Sequence, residues 1–191
     1  AMAEKRNSKD ILIEAASRLF RIRGYYGVGL KDIIEESGIP KGSLYHYFPK
    51  GKEELAIEAI IHTKDFVIDE IKRGFDEIED PIKAIQSHIF HLSEVFGHSE
   101  NLLGLPIGTI AAETYTTSEQ IRMACQEAME DWQSIYVKKL LEADFSEKRA
   151  KELSIVINAL IEGGILLSLT AKNGEPLQAI AEQIPLLLIN K

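Results

Sequence analysis

The amino-acid sequence predicts an all-α fold, on three observations. Apolar residues recur at i, i+3, i+4 and i+7 in nearly every segment, the period of an amphipathic helix. Strand signals are missing: no sustained apolar/polar alternation occurs, and no Asn-Gly or Asp-Gly pair joins two alternating runs. The periodic segments are separated by Gly, Pro and capping residues, which start and stop helices. With 191 residues, 45% hydrophobic and 27% charged, the chain has enough apolar material for one or two domains, which excludes disorder.

Each element follows from local signals. Ser8 caps a first helix, Leu12, Ala15, Ala16, Leu19 and Phe20 line one face, and Gly24 stops it. A short helix after the loop 24–29 puts Leu30, Ile33 and Ile34 on one side, and Gly38 ends it. Pro40 opens a third short element, Lys41 to Phe48, which Pro49 and Gly51 break. A long helix runs from about Lys52 to Ile78, with Glu53 and Glu54 at the positive end of its dipole. Asp80-Pro81 starts the next, with Ile82, Ile85, Ile89, Leu92 and Phe96 inward. The stretch Gly97 to Gly108 reads as loop, and Thr109 to Tyr115 as a short helix. Two long helices follow, from Ser118 to about Ala143 and from Ser146 to about Ala171. A last helix runs over about 176–190, with Pro185 kinking or shortening it.

Several classes drop out. The N-terminus has no apolar h-region of a secretory signal. The longest apolar stretch, Ile155 to Ala171, carries Glu162 in its middle and reads as a core or interface helix, so no membrane partner and a cytoplasmic location are expected. The single Cys125 excludes a disulfide scaffold within the chain, fits a reducing compartment and reads as a small buried apolar residue. Gly-x-Ser-x-Gly, P-loop and Gly-x-Gly-x-x-Gly motifs are absent, so no enzyme is expected. His88, His91 and Glu94, each three residues apart, have metal-ligand spacing, but a polar helix face explains them as well; neither metal nor cofactor is expected.

The net charge of −8 argues, as an average, against a polyanionic partner. Its distribution argues the opposite. Residues 1–52 hold ten Lys and Arg against six Asp and Glu, a net of +4; residues 53–191 hold 12 against 24, a net of −12. Such asymmetry suits an N-terminal segment that meets a polyanion while the rest stays off it, and it places a domain boundary near residue 52.

The segment Gly29 to Phe48 reads as helix, tight turn at Gly38, second short helix: a helix-turn-helix, whose second helix enters the DNA major groove. Lys41 and Gly42 begin that helix. Ser43 offers a hydroxyl, Tyr45 and Tyr47 can donate to phosphate oxygens, and His46 can meet a phosphate or a base. Leu44 and Phe48 face the supporting helix and Ile33. Lys31 heads that supporting helix, and Lys50 and Lys52 stand at the next helix N-terminus, a ready phosphate site.

Gly24-Tyr25, Leu30-Lys31-Asp32-Ile33 and the run Ser37-Gly38-Ile39-Pro40-Lys41-Gly42-Ser43-Leu44-Tyr45-His46-Tyr47-Phe48 closely resemble the DNA-binding domain of the TetR family of bacterial transcriptional regulators, over roughly residues 8–55. The resemblance implies a homodimer with a helix-turn-helix DNA-binding domain (residues 1–52) and a ligand-binding and dimerisation domain (53–191). By position it makes Lys41 to Tyr47 the recognition helix and Lys52 a phosphate-binding lysine. Two departures stand out. Gly29 or Leu30 stands where the family usually has Thr or Ser, and Phe48-Pro49-Lys50-Gly51-Lys52-Glu53-Glu54-Leu55 is one residue longer than the common form, as in a subgroup that includes the lincomycin-resistance repressors.

The resemblance also implies that helices over about 147–171 and 176–190 pair with their partner-chain copies in a four-helix bundle. Independently, both are apolar over a wide face, and Gly163 and Gly164 allow close helix approach. A small-molecule effector site is expected among the middle helices. Its candidates are Phe66, Phe90, Phe96, Ile107, Tyr115, Met129, Trp132 and Tyr136, with Glu113 to orient a cationic or hydroxylated ligand. For any one of the apolar and aromatic candidates core packing is the favoured role, and for Glu113 a solvated face is the alternative. The reading is a ligand-responsive regulator of double-stranded operator DNA, a repressor released by a small apolar or amphipathic molecule. A purely structural helical adaptor would leave the chemistry of Lys41 to Lys52 without a purpose.

Overall fold

The computed structural model describes residues 7–98 and 104–189. In chain order its helices are α1 (Ser8–Arg23), α2 (Leu30–Ser37), α3 (Lys41–Tyr47), α4 (Lys52–Asp76), α5 (Pro81–Gly97), α6 (Gly108–Thr114), α7 (Glu119–Glu142), α8 (Glu147–Ala171) and α9 (Glu175–Leu187). No strand occurs among the described residues.

The boundaries differ from the sequence expectation at the caps. Asn7, not Ser8, caps α1, its side chain accepting the Asp10 N–H at 2.8 Å. Gly24 closes the helix with φ +75°, a backbone conformation open to glycine. Asp80 and Ser146 cap α5 and α8 as their sequence context suggests. α9 ends at Leu187 rather than near residue 190: Pro185 supplies no N–H, and the chain tightens as the Leu188 N–H turns back to the Pro185 carbonyl. Residues 99–103 of the expected loop 97–108, and residue 190 of the expected last helix, lie outside the described residues.

The chain divides into two compact units: Ala1–Thr63 with Pro106–Ala128, and Lys64–Leu105 with Met129–Lys191. The division falls inside α4 and α7, whereas the charge changes sign near residue 52. Packing follows contacts made at long sequence range, and α6 packs on α1 within the first unit.

In the first unit Leu12, Ala16, Phe20, Ile33, Leu44 and Phe48 are buried, joining α1 to α2 and α3. A buried hydroxyl pair, Ser17 and Thr63 at 2.7 Å, ties α1 to α4. In the second unit α5, α8 and α9 pack together around Ile85, Ile89, Leu153, Ile161, Leu177 and Ile184. Gly164 permits this approach, because a Cβ there would meet the Leu177 and Ile180 side chains at 2.7 and 2.6 Å. Gly163 lies on the exposed face of α8, where a Cβ would meet nothing within the single chain. By length and composition α8 could cross a membrane. It nevertheless buries the polar side chains of Ser154, Asn158 and Ser168 on its inner face.

Candidate nucleic-acid interface

The supporting helix α2 starts at Gly29, whose N–H is accepted by Asp32 Oδ2 at 2.8 Å. It ends at Gly38, left-handed at φ +69°, whose N–H returns to the Ile34 carbonyl at 2.9 Å. That sharp turn sets the direction of α3. Leu44 and Phe48 are then driven inward, like Ile33 of α2, all at most 1% exposed. With two anchors four residues apart fixed, helical geometry sends their neighbours outward. Lys41, Gly42, Tyr45, His46 and Tyr47 are exposed and Ser43 is half-buried. The Lys41 ammonium lies 5.9 Å from the Tyr45 ring, and His46 meets Tyr47 edge to face at 5.1 Å. The outcome is a short helix whose exposed side carries hydrogen-bond donors and a cation, chemistry suited to phosphates and base edges. Lys31 at the head of α2 and Lys50 before α4 are exposed as well.

Lys52 is held differently from a free surface lysine. Its ammonium stands 4.1 Å over the Tyr25 ring and 5.9 Å from that of Tyr26. Burial lowers its pKa, while the charges of Glu113 and Asp32 act to raise it. Glu113, expected to face a ligand, instead turns to the loop after α1, where its Oε2 accepts the Tyr25 N–H at 2.5 Å and the Tyr26 N–H at 3.4 Å. The Tyr26 hydroxyl bonds Thr117 at 2.6 Å. Tyr25, Tyr26 and Thr117 were invisible as site residues in the sequence, because nothing local links residue 25 to residue 113. The ion pairs Arg18–Glu36 and Arg23–Asp32, which fasten α1 to α2, were equally hidden.

The other effector-site candidates do not converge on one cavity. Ile107 is buried in the first unit and Tyr115 is 63% exposed. In the second unit Phe66 is 54% exposed, Phe96, Trp132 and Tyr136 are buried, and Phe90 and Met129 are half-buried. The Trp132 Nε1–H bonds the Lys64 carbonyl at 3.3 Å, a structural use of its polar tip. A cleft of about 450 Å³ opens between α4 and α5, and of the candidates Phe90 alone lines it, beside Glu77, His88, His91 and Glu94. No group of three His, Cys, Asp or Glu among the described residues is arranged to hold a metal. Cys125 is buried, which pushes its thiol up to about 12 and leaves it protonated and unreactive.

The second unit buries His88 and Tyr136 and half-buries Glu162. His88 packs edge-on against Phe75 and near Tyr136, and burial pushes it down to about 4, with His91 adding to the effect. Burial pushes Glu162 up to about 7, and it raises Tyr136 too, reinforced by the charge of Glu162. The two act oppositely on stability. Glu162 keeps a proton in the fold that the unfolded chain releases, so its contribution is full below its unfolded value of 4.5 and is lost as pH rises through about 7. His88 contributes fully above 6.5, and this is lost as pH falls through about 4. Glu162→Gln should therefore raise the melting midpoint at about pH 8 and change it little at about pH 5. Differential scanning fluorimetry decides: equal shifts at both pH values would remove burial of the carboxylate as the cause.

Residues 12–59 match the family model described as bacterial regulatory proteins of the tetR family, and residues 81–183 match that of the C-terminal domain of LmrA/YxaF-like transcriptional regulators. The HTH-type transcriptional regulator LmrA of Bacillus subtilis is 51% identical over 95% of this chain and 97% of its own. The uncharacterized HTH-type regulator YxaF of the same organism is 45% identical over 100% of both. A TetR transcriptional regulator from Legionella pneumophila has the same fold, at a TM-score of 0.85 and 19% identity, over 97% of this chain and 99% of that one.

Proposed function

The chain belongs to the TetR family of bacterial transcriptional regulators, in its LmrA/YxaF-like branch, and from that premise we propose that it is a dimeric, cytoplasmic repressor whose grip on a palindromic operator is released by a small molecule. The observation that carries this proposal is α3: its anchors are wholly buried and its polar side chains, Lys41, Tyr45, His46 and Tyr47, all stand outward. Lys31, Ser43, Lys50 and Lys52 add the flanking contacts.

Dimerisation is supported by the outer face of the last two helices. Ile155, Val156, Leu166 and Leu167 on α8, with Leu186 and Leu187 on α9, are each 42–62% exposed in the single chain. A stripe of that size on a soluble regulator suits a partner copy, and a two-fold dimer presents two recognition helices to half-sites one helical turn apart. The effector is an apolar or amphipathic molecule taken up by the C-terminal domain, whose binding shifts the population toward a conformer with misplaced recognition helices. Helix α4, continuous from Lys52 to Asp76, is the lever.

Fluorescence anisotropy with a labelled duplex of the DNA upstream of its own gene tests the proposal. Affinity should fall steeply with salt, because phosphate contacts release counterions. Tyr45→Ala and Lys52→Ala should each weaken binding by about tenfold, the worth of roughly 1.4 kcal/mol. Unchanged affinity in both variants would refute the assignment of α3 and α4 to DNA.

A further inference from the structure

The loop between α1 and α2 has a backbone that is satisfied from far away. The Gly24 N–H still closes α1 on the Phe20 carbonyl at 2.9 Å. The next two N–H groups, of Tyr25 and Tyr26, have no backbone acceptor and converge on one oxygen of Glu113, which lies 88 residues after Tyr25 on α6. Successive amides aimed at one anion form a strong, charge-assisted site. The carboxylate fills the space over Gly24 so closely that a Cβ there would lie 2.5 Å from its Oε1. The loop is thereby clamped, and with it the Tyr25 ring, over which the Lys52 ammonium rests.

A lysine is a point charge on a flexible stem, and ordering it at a phosphate costs rotamer freedom. Here that ordering is done in advance. The aromatic face fixes where the ammonium lies, and the charges of Glu113 and Asp32 favour its presence there. Asp32 is itself held, by the Gly29 N–H and by Arg23.

We propose that Glu113 is a positioning residue for operator binding: its carboxylate clamps the Tyr25–Tyr26 loop and thereby presents Lys52 to the DNA backbone. The proposal rests on the assignment of Lys52 to a phosphate. Glu113 touches no DNA; it acts through Tyr25 and Lys52. A residue of the 53–191 segment thus completes the N-terminal reading head.

The test is a double-mutant cycle on the full-length dimer, with the labelled upstream duplex titrated over a range of salt. Glu113→Gln keeps an acceptor for the Tyr25 N–H but removes the charge; Glu113→Ala removes both. Glu113→Gln should weaken binding about threefold and Glu113→Ala about tenfold, so that the amide partly rescues the alanine variant. The salt slope should shrink in Glu113→Ala by about as much as in Lys52→Ala, close to two, since each protomer then neutralises one phosphate fewer. The variant carrying both Glu113→Ala and Lys52→Ala should bind no more weakly than Lys52→Ala alone, because the two residues act in series. Additive losses, or wild-type affinity and slope in the glutamine and alanine variants, would overturn the proposal. Should Glu113→Ala fail to fold, the isosteric Glu113→Gln combined with Lys52→Ala carries the cycle. If Tyr45→Ala weakens binding and the Glu113 variants do not, the positioning role falls while the regulator assignment stands. If none of the variants matters, the DNA assignment falls with it.

Discussion

Leu167→Glu is expected to convert the dimer to a monomer and to weaken operator binding by about two orders of magnitude or more, the usual contribution of a second linked binding site. Leu167 is 58% exposed in the single chain, so the substitution costs the isolated fold little. In a two-fold dimer it appears twice at the same seam, and two carboxylates would lose water there. Ile155, Val156 and Leu166 are the other exposed large apolar side chains of α8. Size-exclusion chromatography with light scattering reads the mass directly. A variant that remains a dimer and binds the operator as before would remove the α8–α9 face as the seam.

Phe48→Ala should destabilise the first unit by about 3–5 kcal/mol, the cost of emptying a fully buried aromatic site. Phe48 is 1% exposed and stands just after α3, which packs on α1. Its neighbour Tyr47 is 36% exposed, and Tyr47→Ala should change stability by no more than about 0.5 kcal/mol while weakening DNA binding. Urea unfolding and anisotropy on the two variants separate the roles. If Phe48→Ala unfolded at the wild-type midpoint, the burial of that ring would not be what holds α3.

This contrast was legible in the sequence. Leu44 within the seven-residue helix and Phe48 at its C-terminal cap, four apart, leave Tyr45, His46 and Tyr47 no inward direction, and the turn at Gly38 needs only a residue that accepts positive φ. The caps Asp80 and Ser146 were legible for the same reason: each bonds an N–H three residues on. The cap of α1 slipped by one residue, since Asn7 and Ser8 both have capping side chains and local chemistry does not choose between them.

What the sequence missed has a common cause. Glu113 reads from sequence as a charge able to orient a ligand, while the bonds its carboxylate accepts come from amides 88 and 87 residues away. Phe66 and Trp132 both looked like pocket aromatics, yet one is exposed and the other spends its N–H on the Lys64 carbonyl. Within the chain it is Gly164 that meets α9, while Gly163 lies on the exposed face of α8.

The sequence by itself determined the helices, the helix-turn-helix and the outward chemistry of α3. These depend on hydrogen bonds and periodicities spanning a few residues, which composition at each position sets. Only the tertiary structure decided that the compact units divide within α4 and α7, that Lys52 rests on Tyr25, and that the loop beneath it is clamped from α6. Those arrangements depend on which surfaces meet after the chain has folded back on itself, and a charge or a ring carries no local mark of its distant partner.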